Sequence, residues 1–146
     1  MKKIKKTIIL IIGGLILGGC TAKGPQFKKF EIPSQGKANI YIYRKAQFFG
    51  DALFPDIHIT NTEDKILPRL LLDGYIKEEV DPGTYLIWAK TEARNQVIIK
   101  AKKNKNYCIQ HYISWGFFIG HPQFELQSLL ECEPAIKTTR LSEKKE

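Results

Sequence analysis

Three sets of residues in this chain could do chemistry: Cys20, the pair Cys108 and Cys132, and the aromatic run at residues 115–120. Cys20 closes Leu17-Gly18-Gly19-Cys20, behind an apolar stretch at residues 7–17 that follows Lys2, Lys3, Lys5 and Lys6. A basic start, a short apolar segment and small residues before a cut are the parts of a secretory signal, here cleaved between Gly19 and Cys20. The cysteine thiol in this pattern becomes a thioether to diacylglycerol, and its freed amine takes a fatty acid. One acyl chain binds a bilayer only marginally, whereas two or three hold durably. The apolar stretch is shorter than the roughly 20 residues needed to span a bilayer. Cys20 is therefore expected to anchor the mature chain in a membrane. The next residue is Thr21 rather than aspartate. In a two-membrane bacterium that directs the protein to the outer membrane, facing the periplasm, rather than to the inner one.

Removing the signal changes the composition that matters. The whole chain carries 23 Lys and Arg against 15 Asp and Glu, and four of those lysines belong to the signal. The mature chain is mildly basic, which argues against a nucleic-acid partner. The cysteines fall from three to the pair Cys108 and Cys132. In an oxidising compartment these could form a disulfide, worth about 3 kcal/mol in loop entropy. The other reading is two buried thiols acting as small apolar residues. They lie too far apart for a Cys-x-x-Cys redox motif.

Trp115-Gly116-Phe117-Phe118-Ile119-Gly120 sets bulky apolar residues among glycines. If exposed, Trp115, Phe117 and Phe118 could enter lipid, stack on a sugar ring or dock a protein. If buried, they are a loop folded over the end of a core. Burial is the expectation, because most aromatics in small domains are core. Arg44 divides the same way, between binding an anionic group and a structural ion pair with Asp73 or Asp81, and the ion pair is the expectation.

Catalysis finds little support. There is no Gly-x-Ser-x-Gly elbow, and Ser114 sits beside Trp115 on an expected strand. Glu78 and Glu79 are strand neighbours that point to opposite faces, while Glu131 and Glu133 suit a solvated rim. His58, His111 and His121 have no compact zinc spacing. No catalytic residue, metal or cofactor is expected.

The elements that must position these residues are short strands separated by turns. Residues 21–37, with Gly24, Pro25, Pro33 and Gly36, read as a tether reaching about 50 Å at full stretch, unless Phe27, Phe30 and Ile32 pack on the domain edge. Residues 38–132 hold the strand signals: Ile40-Tyr41-Ile42-Tyr43, Ile57-His58-Ile59-Thr60, Ile66-Leu67, residues 75–80, residues 85–89, Val97-Ile98-Ile99, residues 107–115 and residues 124–129. Asp81-Pro82-Gly83-Thr84 is a turn signal, with Pro82 and Gly83 as its central pair. Residues 133–146 read as a polar tail with a short helix at 135–141. About seven or eight such strands predict an all-β, Ig-like or prealbumin-like antiparallel sandwich.

Residues 36–44 with Phe49-Gly50, Leu72-Asp73-Gly74-Tyr75, residues 80–85 and Asn106-Tyr107-Cys108-Ile109 resemble an uncharacterised bacterial lipoprotein family known only as a domain of unknown function. The likeness covers residues 30–130. It implies a β-sandwich on a lipid anchor and implies no activity. The resulting expectation is a non-enzymatic module of the cell envelope. It would bind another envelope protein through a sheet edge or through residues 115–120. The alternative is a module for cell-wall glycan or lipid, using Trp115, Phe117 and Phe118 with Arg44 or His111.

Overall fold

Alternation along Ala38–Arg44 (β1) organises the molecule, and all seven of its residues are buried. Ala38, Ile40 and Ile42 point into one core, and Tyr41 and Tyr43 point into a second on the opposite face. A strand buried on both faces must lie inside a sheet covered on both sides. A computed structural model describes residues 20–143; the signal expected at residues 1–19, Gly19 included, lies outside the described residues. After β1 come His58–Thr60 (β2), Asp64–Ile66 (β3), Gly74–Val80 (β4), Gly83–Lys90 (β5), Arg94–Ala101 (β6), Asn106–Ser114 (β7), His121–Gln127 (β8), the helix Leu129–Ile136 (α1) and Arg140–Leu141 (β9).

The strands form a β-sandwich. One sheet has the order β8-β7-β1-β4-β9 and the other β3-β2-β5-β6. β1 runs antiparallel to β4, from Ala38 opposite Val80 to Arg44 opposite Gly74, and parallel to β7, from Asn39 opposite Asn106 to Tyr43 opposite Gln110. β5 and β6 form a full hairpin. Most pairings are antiparallel, but β1–β7 and β4–β9 are parallel, so the five-stranded sheet is mixed. The core between the sheets is mainly isoleucine, including Ile40, Ile42, Ile59, Ile87, Ile99 and Ile109. Pro122 sits on β8, an edge strand, the place in a sheet that tolerates a residue without an N–H.

The outer face of the five-stranded sheet explains two departures from the sequence expectation. It presents Tyr41, Tyr43 and Tyr75, which need cover. Residues 21–37 are accordingly no free tether. Ala22 N–H donates to the Leu72 carbonyl at 2.9 Å and Phe27 N–H to the Thr139 carbonyl at 2.9 Å. Phe27 is 4% exposed and packs edge-on against Phe30, Tyr41 and Tyr75. Of the three apolar residues that could dock, only Ile32 stays outside. Residues 133–142 are likewise no loose tail. The helix begins earlier than expected, because Ser128 and Glu131 form a reciprocal capping box. α1 buries Cys132 and Ile136 against the sheet, and β9 then adds to β4. Cys132 is disulfide-bonded to Cys108 on β7, with Cα atoms 6.4 Å apart, which pins the helix over the tyrosines.

Candidate functional site

β1 and β7 run in the same direction, so the chain leaves both at one end of the sandwich, beyond Arg44 and beyond Ser114. Two loops emerge there side by side, residues 45–57 and residues 115–120. The turn at 91–93 closes the same end, since Thr91 Oγ1 donates to the Gly120 carbonyl at 2.7 Å.

Arg44 builds the first loop from beneath. Its guanidinium donates to the Leu53 carbonyl at 2.6 Å and the Gly50 carbonyl at 2.8 Å, and it lies 5.1 Å from the centre of the Phe54 ring. Asp51 accepts from Gln47 N–H at 2.9 Å, and Gln47 Nε2 donates to the carbonyls of Phe49 and Ile113. Gly50 has φ +82°, and a Cβ there would meet Ile113 Cβ at 2.5 Å, so the position requires glycine. Arg44 is 1% exposed. The expectation that it meets a ligand, or pairs with Asp73 or Asp81, is therefore corrected. Asp73 pairs with Lys45 and Asp81 with Lys37. Burial lowers the Arg44 pKa and nearby Asp51 partly offsets that. The arginine is a brace for the loop.

Glu92 builds the second loop. Its carboxylate accepts from Phe117 N–H at 2.8 Å and Phe118 N–H at 3.2 Å, and lies 2.7 Å from His121 Nε2. Burial pushes this carboxyl up, but the backbone donors of Ile119, Phe118 and Phe117, together with His121, hold it below the usual carboxylate range. Gly116 lets the turn close, because a Cβ there would collide with the Ile119 carbonyl oxygen. Ile113 and Leu53 already fill the space beneath Gly120. With the backbone captured and the space below taken, the side chains turn outward. Trp115 is 79%, Phe117 86% and Phe118 85% exposed. This reverses the expectation of burial.

Phe48 is fully exposed, and Phe49 stacks on Trp115 with ring centres 3.9 Å apart. Together the loops line a shallow groove of about 520 Å³. Sequence reasoning missed Phe48, Phe49 and Glu92. A signal for the first two was present, since Phe48-Phe49-Gly50 repeats the bulky-then-glycine pattern of residues 117–120.

The other candidates stay apart from this groove. His111 is buried, with Nδ1 3.0 Å from the Gln123 carbonyl and its ring stacked on Phe124. Burial first, and the Arg44 charge second, lower its pKa to about 3. His58 lies 2.7 Å from Asp64 and stacks on Trp88, whose ring also carries Arg94 at 4.1 Å. Ser114 Oγ accepts from Gln123 Nε2 at 2.9 Å and donates to the His121 backbone carbonyl at 3.5 Å. Among the described residues, no three His, Cys, Asp or Glu side chains gather where they could hold a metal ion.

Cys20 is exposed, and its carbonyl accepts from Leu72 N–H at 2.9 Å. Leu72 lies just before β4, whose first residue Gly74 stands opposite Arg44. Cys20 therefore sits at the same end of the sandwich as the aromatic loops. Two or three strand spacings separate them, about 10–15 Å.

Fold and site define a class: a β-sandwich, with nine strands among the described residues, that carries one aromatic end. The chain belongs to the same family as an uncharacterized protein of Haemophilus influenzae, with 31% identity over 116 residues, or 79% of this chain and 67% of that protein. No family model matches the chain, and no solved structure matches it.

Proposed function

We propose that this protein is a non-enzymatic lipoprotein of the bacterial envelope, anchored through Cys20, and that its sandwich acts as an interaction module. The carrying observation is the set of exposed rings at Phe48, Trp115, Phe117 and Phe118, held outward by Arg44 and Glu92. An apolar patch that takes a buried arginine, a carboxylate bonded to backbone and obligatory glycines to display is a working surface. The sequence pattern at residues 2–20 and its likeness to a lipoprotein family support the anchor.

The loops are a better working surface than the sheet edges. β3 has three residues and β9 has two, and β8 carries Pro122. Such edges are poor templates for a partner strand. The fourth edge, β6, lies against β8, where Asn95 donates to Gln123 at 2.9 Å. Cells expressing the chain should incorporate a palmitate analogue, and Cys20→Ala should abolish that labelling. Undiminished labelling overturns the lipoprotein reading. A photocrosslinker at Phe118 should capture an envelope component that the same probe at Lys103, at the opposite end, does not. Equal capture at both sites overturns the working surface.

A further inference from the structure

We propose that the aromatic end seats in the interfacial layer of the same membrane leaflet that receives the lipid on Cys20, so that the sandwich stands directly on the bilayer. This inference rests on the lipid anchor proposed above. Four observations carry it.

The first is reach. With residues 21–37 packed along the sheet, no free linker follows Cys20. Its own carbonyl is bonded to Leu72, and Thr21 bridges to Leu72. Acyl chains on Cys20 would enter the bilayer at the surface of the domain, and that end of the sandwich must then meet the headgroups. The second is placement, because the surface brought down with Cys20 is the one that carries the rings.

The third observation is residue type. Residues 48–50 and 115–120 contain no ionisable side chain. Tryptophan beside several phenylalanines suits the boundary between headgroup and acyl chain. The fourth is backbone satisfaction. An unpaired N–H entering apolar surroundings is costly. At the loop tip, the N–H groups of Phe117 and Phe118 are both taken by Glu92, so these two donors are not orphaned when the tip leaves water. A glycan site would need free polar groups beside the rings. Here Asp51 is occupied by Gln47 and Glu92 by the loop. Lys23, Lys45 and Arg69 at this end could meet anionic headgroups, but Lys45 is paired with Asp73, and Asp51, Asp56 and Glu92 oppose the others, so the rings rather than the charge drive the seating.

The test uses the full chain, lipidated in cells and reconstituted into vesicles of phosphatidylethanolamine and phosphatidylglycerol. Cys20 carries lipid and Cys108 is bonded to Cys132, so a single added thiol accepts an environment-sensitive fluorophore. The fluorophore at Phe118→Cys should be blue-shifted and quenched by shallow lipid-borne quenchers, and at Lys103→Cys it should be neither. Mass spectrometry scores the lipid on Cys20 independently. Lipid present with position 118 unquenched overturns the seating and leaves the anchor standing. Absence of lipid overturns both. A blue shift at position 118 in native envelope membranes but not in pure lipid vesicles overturns the seating in favour of a protein or glycan occupant.

Discussion

Two aromatic clusters of similar size lie in this molecule and have opposite fates. Phe27 and Phe30 pack edge to face on each other and on the tyrosines, with ring centres 5.1 to 5.8 Å apart, and Tyr41 and Tyr75 lie tilted at 6.4 Å. Phe48, Phe49, Trp115, Phe117 and Phe118 gather at one end, and four of the five are largely open to solvent. Residue type does not separate the two. The buried cluster draws its tyrosines from strands, where alternation obliges a side chain to face a definite layer. The exposed cluster comes from loops, where no register applies and direction is decided by what captures the backbone. Arg44 and Glu92 do the capturing, and they aim the rings outward.

The comparison breaks most easily at Phe27. Phe27→Ala should cost about 3–5 kcal/mol, read by urea denaturation. A loss below about 1 kcal/mol would mean that the N-terminal segment is not part of the core. Arg44→Met should cost about 2–3 kcal/mol through the loss of charged hydrogen bonds to two carbonyls. It should also make residues 45–57 sensitive to protease while the rest of the sandwich resists. Uniform protease sensitivity would deny Arg44 a local role.

Acid separates the supports from the surface they support. His111 is neutral in the folded state, with its pKa lowered to about 3 by burial and by Arg44. In the unfolded chain it takes a proton near the ordinary value of 6.5. Below that value the unfolded state binds more protons, so stability falls as the pH drops, by up to about 1.4 kcal/mol per unit between 6.5 and 3. Above 6.5 the effect vanishes. His111→Gln should flatten this slope in denaturation series from pH 7 to pH 4.5, and an unchanged slope would assign the acid sensitivity elsewhere. The smallest effect on folding belongs to the exposed rings. Phe117→Ser with Phe118→Ser should change stability by no more than about 0.5 kcal/mol, while removing any binding that depends on this end. A large loss of stability would show that these rings are structural after all.

Much of the sandwich was legible because strand alternation is local. Ile40-Tyr41-Ile42-Tyr43 announces β1, and Asp81-Pro82 marks the break between β4 and β5, although Gly83, expected in the centre of a turn, is already the first residue of β5. The helix was partly hidden. Ser128 and Glu131 carry its capping signature, but Phe124-Glu125-Leu126-Gln127-Ser128-Leu129 also alternates like a strand, and that pattern extended β8 too far. Arg44 was legible as a charge and not as a brace, since its partners are the carbonyls of Gly50 and Leu53, which no side-chain pattern reveals. Glu92 escaped for the same reason: it bonds to backbone across 25 residues of chain.

The sequence by itself determined the composition of the signal-like segment ending at Cys20, the β-rich character of residues 38–127 and the presence of an aromatic, glycine-flanked run. These follow from local chemistry and from the two-residue period of a strand. Only the tertiary structure decided that residues 21–37 and 133–142 belong to the domain, that Cys108 meets Cys132, and that the aromatic run points outward at the same end as Cys20. Each of these depends on pairing between distant segments, above all the parallel register of β1 with β7 and the bond from Leu72 to Cys20. Non-local pairing of this kind has no signature in the order of the residues, because it is chosen by how whole sheets stack and which faces remain to be covered.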